Sequence, residues 1–157
     1  KNPVYDYVQS KGRRVRDPLG VVYPREDIRG MFKALRQGRI IWYAPDQDYG
    51  RKQSVFARFF GVPAATVTAT ARFAKTGNAL VLPFSQVRLP DGQGYRIVVH
   101  PPLQDFPTGD DLADAEMVNR QVEKMILEQP DQYMWIHRRF KTRPPGESRP
   151  YPKSSNK

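Results

Sequence analysis

Two histidines, His100 and His137, are the first residues in this sequence that could do acid–base chemistry. Four residues separate His100 from the next acid, Asp105, and this spacing gives a His-x4-Asp pattern. On one helical turn, such a carboxylate orients the imidazole, which can then take a proton from a substrate hydroxyl. Two prolines directly after His100 favour an extended loop over a helix, so we interpret this match as a coincidence. His137 has a threonine at the corresponding position and lacks an equivalent partner.

A second candidate site lies at residues 45–50, where Asp46, Asp48 and Tyr49 follow a mostly apolar run at residues 39–44. Turn residues that cap a strand end would account for these aspartates. Open α/β sheets, however, place their ligand-binding loops directly after buried strands. We therefore favour a functional role for the two aspartates.

A third candidate is the run at residues 133–143, in which aromatic residues alternate with cations. Its aromatic residues could simply pack while the cations stay solvated. Alternatively, Arg138, Arg139 and Lys141 could bind phosphate through charge-assisted hydrogen bonds. As a third possibility, the aromatic residues could stack on the bases of a single-stranded nucleic acid. The anion site and the structural role are the two stronger interpretations.

Composition excludes several kinds of chemistry. The 157 residues include no cysteine, which excludes a disulfide scaffold, a cysteine-based zinc site and a cysteine nucleophile. The sequence also shows no serine nucleophile elbow, no glycine-rich phosphate loop and no cluster with metal-ligand spacing. We therefore expect neither a metal nor a cofactor. No apolar run approaches the roughly 20 residues that a membrane span needs.

The charge is strongly and unevenly basic. The chain has 26 Lys and Arg against 16 Asp and Glu, a formal net charge of +10. Basic residues are concentrated in residues 1–16 and 135–157, whereas residues 110–131 are acidic. Such blocks favour a basic surface that meets an anionic partner: nucleic acid, phospholipid head groups, a phosphorylated sugar or an acidic carrier protein.

The hydrophobic pattern predicts helices alternating with strands, which is typical of an α/β fold. We expect helices near residues 3–12, 24–37, 63–76 and 111–128. Buried strands of the kind found in parallel sheets are predicted at 39–44 and 78–84, and a hairpin at 85–89 and 95–100. Residues 45–61 read as a long functional loop whose Phe56, Phe59 and Phe60 contact a bilayer surface, line an acyl-chain tunnel or pack in the core.

The order of these segments resembles the late, lauroyl- or myristoyl-transferring acyltransferases of lipid A biosynthesis in Gram-negative bacteria. The match covers roughly residues 2–144, and its two long runs, at 42–50 and 132–144, are highly specific. The residues that carry it are Asn2-Pro3, Gly12-Arg13, Gly30-Met31-Phe32-Lys33-Ala34-Leu35, Trp42-Tyr43-Ala44-Pro45-Asp46-Gln47-Asp48-Tyr49-Gly50, Ser54-Val55-Phe56, Leu82-Pro83-Phe84 and Gln132-Tyr133-Met134-Trp135-Ile136-His137-Arg138-Arg139-Phe140-Lys141-Thr142-Arg143-Pro144.

The resemblance implies the fold, the reaction and the partners. The fold would be a mixed sheet flanked by helices, as in glycerolipid acyltransferases, with residues 1–143 forming a C-terminal part of that domain and residues 144–157 a flexible tail. The reaction would transfer a lauroyl-type chain from acyl carrier protein to a hydroxyl of a Kdo-bearing lipid A precursor. It would take place on the cytoplasmic face of the bacterial inner membrane, at the membrane surface and without nucleic acid.

The resemblance also assigns residues to roles. In the family, the catalytic His-x4-Asp/Glu motif lies upstream of the segment matching Asn2-Pro3, so we expect this chain to be the C-terminal half to two-thirds of such an enzyme and inactive alone. Arg13 matches a basic residue downstream of that motif and would support catalysis together with Asp46. Substrate-binding roles would fall to the following residues: Asp48, Tyr49, Arg138, Arg139 and Lys141.

Two alternatives remain at this point. A lysophosphatidic acid type of acyltransferase would carry a Phe-Pro-Glu-Gly-Thr-Arg type block where this chain has residues 44–49, so it ranks low. A basic nucleic-acid-binding module would explain the net charge, but it requires neither the acidic block nor the buried-type strands.

Overall fold

The computed structural model describes residues 2–16, 21–23 and 27–152. The chain divides into two compact units, Lys1–Ile41 and Trp42–Lys157.

The first unit begins with helix α1, Pro3–Arg16. Asn2 caps it as predicted, because its side-chain oxygen accepts hydrogen bonds from the backbone N–H groups of Val4 (3.0 Å) and Tyr5 (3.3 Å). The predicted end at Gly12 is wrong. A glycine inside a helix costs only about 1 kcal/mol relative to alanine, and this helix continues one turn beyond it.

Helix α2, Ile28–Arg36, completes the first unit. Its N-cap is Asp27, whose carboxylate accepts from the backbone N–H of Gly30 at 2.9 Å. Gly38, just past the helix end as predicted, has a φ of +76°. The predicted start near Pro24 lies outside the described residues.

The second unit opens with a hairpin that the sequence pattern had not indicated. Strand β1, Ser54–Phe59, pairs antiparallel with β2, Val62–Val67. Phe60 and Gly61 form the two-residue turn with positive φ angles of 48° and 76°, the geometry whose twist matches that of paired strands. The predictions of a loop over 45–61 and a helix from 63 are therefore wrong in these parts.

Helix α3, Ala69–Gly77, occupies only the second half of the predicted alanine-rich helix, and Asn78 ends it in the left-handed conformation. The first half is strand because β-branched Val62, Thr66 and Val67 fit a pleated surface. Pairing with β1 supplies the backbone hydrogen bonds that a helix would otherwise have supplied.

The predicted hairpin is confirmed as the second hairpin of this unit. Strand β3, Phe84–Arg88, pairs antiparallel with β4, Tyr95–Val99, across a short 3-10 turn at Pro90–Gly92. The buried strands predicted at 39–44 and 78–84 are not formed, except for Phe84 itself. A strand of that kind needs neighbours on both edges, and the described residues do not provide them.

Helix α4, Asp111–Glu128, has the predicted bounds. The Asp110 side chain accepts from the backbone N–H groups of Leu112 and Ala113, both at 2.8 Å. Its predicted apolar face is buried against β1 and β2. The buried core cluster comprises Phe59, Ala64, Val118, Val122 and Ile126, with Leu103, Phe106, Met125, Tyr133 and Phe140 packed against it.

The described residues thus combine helices with two small antiparallel sheets, which is compatible with the α/β class. They do not form the mixed sheet of the predicted glycerolipid-acyltransferase-like fold. Of the predicted tail, Tyr151 accepts a hydrogen bond from the backbone N–H of Phe140 (3.1 Å), and Glu147 pairs with Arg143. Residues 153–157 lie outside the described residues, and the flexibility of 144–157 stays a prediction.

Candidate functional site

The structure brings together the two sequence runs that were singled out separately. We call residues 45–50 the aspartate loop and residues 133–143 the basic-aromatic segment. The Tyr133 hydroxyl donates to Asp46 Oδ2 at 3.0 Å, and the backbone N–H of Thr142 donates to Asp48 Oδ2 at 2.8 Å. Both runs belong to the second unit. The aspartate loop is therefore held in place by a segment almost 90 residues further along the chain.

Asp48 is the centre of this attachment. It is only 2% exposed, and its second carboxylate oxygen accepts from the backbone N–H of Gly50 at 2.8 Å. A buried carboxylate has to be compensated by hydrogen bonds, and two backbone donors do so here. The geometry gives Asp48 a positioning role in the loop. Its predicted contact with substrate stays a prediction.

His137 provides a third link between the two runs. Its Nε2 accepts a hydrogen bond from the backbone N–H of Asp48 at 3.2 Å. This bond requires a neutral imidazole that carries its proton on Nδ1, the assignment that follows from the hydrogen bond itself. His137 thus contributes to loop placement, a role that its lack of an acidic partner in sequence had left unassigned.

Arg139 anchors the basic-aromatic segment in the protein interior. It is 3% exposed, and its guanidinium donates to Ala65 O (2.7 Å), Thr66 Oγ1 (2.8 Å) and Asn119 Oδ1 (3.3 Å). The same group lies over the ring of Phe59, 5.1 Å from its centroid. Desolvation lowers the pKa of Arg139 from its usual value, an effect that nearby acidic groups partly offset. These contacts favour a structural role for Arg139; binding of an anionic substrate by it stays a prediction.

The neighbouring cations face solvent instead. Arg138 and Lys141 are exposed, and Arg138 lies 5.9 Å from the ring centroid of Tyr151. Tyr49 is also partly exposed, and its hydroxyl donates to Gln47 Oε1 at 3.0 Å. These three predicted substrate-binding residues present charge or a phenol at the protein surface, on a backbone fixed by buried neighbours.

Arg13 lies on the exposed surface of α1 in the first unit, whereas Asp46 belongs to the second unit. Their supporting roles in catalysis stay predictions. Asp46 is half-buried and accepts the Tyr133 hydroxyl.

The His100–Asp105 match behaves as expected of a coincidence. The residues between the two form a loop with a turn at Asp105, which has a φ of +51°. Nε2 of His100 lies 3.3 Å from the hydroxyl oxygen of Ser85, within hydrogen-bond distance. Phe59, one of the three phenylalanines considered for lipid contact, is fully buried in the core.

Two residues of this network were missed by the sequence interpretation. Asn119 lies in the buried stripe of α4 and is 1% exposed, and its amide donates to Arg58 O (2.9 Å) and Thr66 Oγ1 (3.1 Å). A polar residue beside Val118 on an apolar helix face was the available signal. For Tyr133, the sequence offered no signal other than its place in the basic-aromatic segment.

The tyrosines near Asp46 have altered acidity. Burial raises the pKa of the Tyr43 phenol to about 12; a hydrogen bond with Thr70 partly opposes this rise, and nearby Tyr49 and Asp46 add to it. Burial and the neighbouring carboxylate of Asp46 raise the pKa of Tyr133 as well. Both phenols therefore remain neutral at physiological pH, and Tyr133 can act as a hydrogen-bond donor.

Comparison with known proteins identifies the relatives of this chain. The family model described as bacterial lipid A biosynthesis acyltransferase matches residues 1–142. The chain belongs to this family. Among curated relatives from Escherichia coli K12, it is 46% identical to the lipid A biosynthesis lauroyltransferase over 92% of the chain and 47% of the relative. It is 44% identical to the palmitoleoyltransferase over 96% of the chain and 48% of the relative, and 39% identical to the myristoyltransferase over 96% and 46%.

The chain thus spans about half the length of the curated family members it matches. Among the helices of residues 2–16, 21–23 and 27–152, none has the length and apolarity needed to cross a membrane. Within the same residues, no group of His, Asp and Glu side chains is arranged to hold a metal ion.

The two hydrogen bonds that the Asp48 carboxylate accepts lead to a prediction about the stability of the fold. Asp48→Asn replaces one acceptor oxygen by an NH2 group that faces a backbone donor, so we expect a loss of about 2 kcal/mol in the free energy of unfolding. Asp46→Asn is the matched control, because its amide oxygen can still accept the Tyr133 hydroxyl, and should cost less than about 1 kcal/mol. Urea unfolding measures both. Equal losses for the two variants would contradict the central place given to Asp48.

Burial of Tyr43 makes a pH prediction. The unfolded chain releases the phenol proton near its ordinary pKa of about 10, whereas the folded protein holds it to about 12. The unfolded state then binds fewer protons in this window, so the free energy of unfolding falls as pH rises above 10. Tyr43→Phe removes this contribution, and its stability should fall less between pH 9 and 11, by up to about 1 kcal/mol. Parallel pH profiles for the two proteins would show that Tyr43 ionises normally.

Proposed function

We propose that this chain forms the part of a lipid A acyltransferase that binds anionic substrates beside the reacting groups. The reaction would transfer a lauroyl-type chain from acyl carrier protein to a hydroxyl of a Kdo-bearing lipid A precursor, at the cytoplasmic face of the inner membrane. Family membership and the activities named for the relatives support acyl transfer in lipid A biosynthesis. The slightly higher identity to the lauroyltransferase supports the choice of chain length.

One structural observation carries the substrate-binding part of this proposal. Arg138 and Lys141 are exposed on a segment whose backbone is fixed by buried Arg139 and by the bonds of Asp48 and His137. Fixed cations lose less conformational freedom on binding than cations on a mobile loop. Both proposed substrates are anionic: the precursor carries phosphates, and acyl carrier protein is acidic.

Neither histidine of this chain is proposed as the general base. His137 uses Nε2 to hold the aspartate loop, and His100 contacts Ser85 in the second hairpin. Neither lies in the His-x4-Asp/Glu arrangement on a helical turn that the resemblance implies. We propose that the base comes from the half of the family sequence outside the match, together with the rest of a glycerolipid-acyltransferase-like sheet.

Arg13, Asp46 and Tyr49 complete the proposed site. An exposed arginine such as Arg13 can hold phosphate or the developing charge on the acyl carbonyl, since its planar fork offers several donors. Asp46 would have a supporting role in catalysis, and Tyr49 would contact the substrate. Support for these roles comes from their positions in the sequence runs that match the family.

The test of this function uses a fusion in which the unmatched part of the Escherichia coli lauroyltransferase precedes residues 1–157. The fusion should transfer lauroyl from acyl carrier protein to the Kdo-bearing precursor, faster than myristoyl or palmitoleoyl. Replacing both Arg138 and Lys141 by Glu should raise KM for an anionic substrate about tenfold at low salt, with kcat little changed, and salt should weaken this effect.

The matched control is Lys124→Glu, which changes an exposed cation on α4 in the same unit. It should leave both KM values within about twofold. A folded fusion that transfers no acyl chain would refute the proposed reaction. A KM unchanged by the double substitution would refute the assigned anion-binding surface.

The role of Arg13 is tested in the same fusion. Arg13→Ala should reduce turnover more than about tenfold if the side chain stabilises charge in the transition state. The control is Arg14→Ala, which changes a neighbouring exposed arginine on α1 and should retain most of the activity. Near-normal turnover of the folded Arg13→Ala protein would exclude this role.

A further inference from the structure

The β3–β4 hairpin and the extended residues before it carry an exposed apolar surface. Along residues 80–88, even-numbered side chains are exposed and odd-numbered side chains are half-buried or buried. Phe84 lies directly opposite Val99, so both strands contribute to the same surface. We call this surface the open face: Leu80 (78% exposed), Leu82 (52%), Phe84 (41%), Ile97 (62%) and Val99 (64%).

The backbone beside the open face also has unused hydrogen-bonding capacity. His100 N donates to Pro83 O at 2.9 Å, so odd-numbered residues of this strand direct their polar backbone groups toward β4. Even-numbered residues direct theirs to the opposite edge. At Arg88 that edge is bonded by the Gln132 side chain, which accepts from Arg88 N (2.8 Å) and donates to Arg88 O (3.1 Å).

Toward residues 80–84, no side chain bonds this edge in the way that Gln132 bonds Arg88 within the described ranges. The backbone groups of Leu80 and Leu82 make no hydrogen bond to another residue within the described ranges. Among the residues that the structure describes, no neighbour therefore pairs with this edge or covers the open face over residues 80–84. The apolar pattern of this stretch, which predicts a strand buried on both sides, agrees with a missing neighbour rather than with a solvent-exposed strand.

The partner that fits is a polypeptide rather than a lipid surface. Acyl chains could cover the apolar side chains, but they offer no hydrogen bonds to the backbone groups of the edge, which would then be buried unpaired. A neighbouring strand can pair with the edge through its backbone groups, and the polypeptide that carries it can cover the apolar side chains of the open face. Two-stranded hairpins are marginally stable alone, so additional polypeptide would also stabilise β3 and β4.

We propose that the open face and its edge bind the half of the family polypeptide that lies outside the match. The match covers only 46–48% of the relatives named above, so each contains enough further sequence to supply strands and helices. A second copy of this chain is disfavoured because each carries a net charge of +10. The proposal depends on family membership and not on the acyl-transfer reaction, so its tests use structural readouts.

The experiment compares the chain alone with the fusion described above by hydrogen–deuterium exchange. The amides of Leu80, Leu82 and Phe84 should exchange at least about tenfold more slowly in the fusion, because hydrogen bonds to a neighbouring strand protect them. Amides inside α4 serve as the internal reference, since they are already hydrogen-bonded in the chain alone. Should the fusion prove insoluble, the two pieces are co-expressed and the co-purified complex is measured instead.

A pair of matched variants separates the open face from general surface effects. Ile97→Glu and Leu127→Glu place the same charge at two similarly exposed sites, 62% and 66%. Both should leave the thermal midpoint of the isolated chain nearly unchanged. In the fusion, Ile97→Glu should lower the midpoint by about 5 °C or more, while Leu127→Glu should not.

Four results would overturn the proposal. These are unchanged amide exchange at residues 80–84 in the fusion, failure of the co-expressed pieces to associate, and equal midpoints for the two fusion variants. The fourth is protection in the chain alone, either on adding vesicles of phosphatidylethanolamine and phosphatidylglycerol or on raising the protein concentration. Vesicle-induced protection would assign the open face to a membrane, and concentration-dependent protection would assign it to a second copy. Loss of acyl transfer with intact protection would count against the proposed function alone.

Discussion

A guanidinium group buried in the second unit is the constraint on which the arrangement of this protein depends. Removing a cation from water is costly unless acceptors replace the lost hydration. The two terminal nitrogens of Arg139 meet that requirement with a carbonyl and a hydroxyl of β2 and the amide of Asn119 on α4, and the guanidinium also lies over the face of Phe59 on β1. One side chain thereby fixes the first hairpin, the long helix and the basic-aromatic segment relative to each other.

The position of the aspartate loop depends on the basic-aromatic segment that Arg139 holds in place. Residues on either side of Arg139, namely Tyr133, His137 and Thr142, bond to Asp46 or Asp48. The sequence therefore divides its conspicuous residues between two tasks. Those that are buried, Asp48 and Arg139, hold the backbone, whereas exposed Arg138 and Lys141 carry charge on a fixed frame. A conspicuous polar residue in a family motif is thus not by itself a substrate contact.

The second hairpin, β3–β4, carries an exposed apolar surface. Residues whose pattern is typical of a buried strand are exposed in the described part of the chain, and the chain spans about half of its relatives. The same reasoning explains why the predicted parallel strands did not form. A strand is defined by its neighbours, whereas a helix satisfies most of its own backbone groups.

Local signals in the sequence by themselves determined the elements that close their own hydrogen bonds. The bounds of α4, the Asn2 cap of α1 and the β3–β4 hairpin follow from capping residues, periodicity and turn residues within a few positions of each other. The family resemblance likewise rested on sequence alone and was confirmed. The alanine-rich stretch at 63–76 was misread because its local helix preference was overruled by pairing with β1. Only the tertiary structure decided that Arg139 is buried and that Asp48 holds a loop, because those roles depend on acceptors and donors that lie far away in the chain.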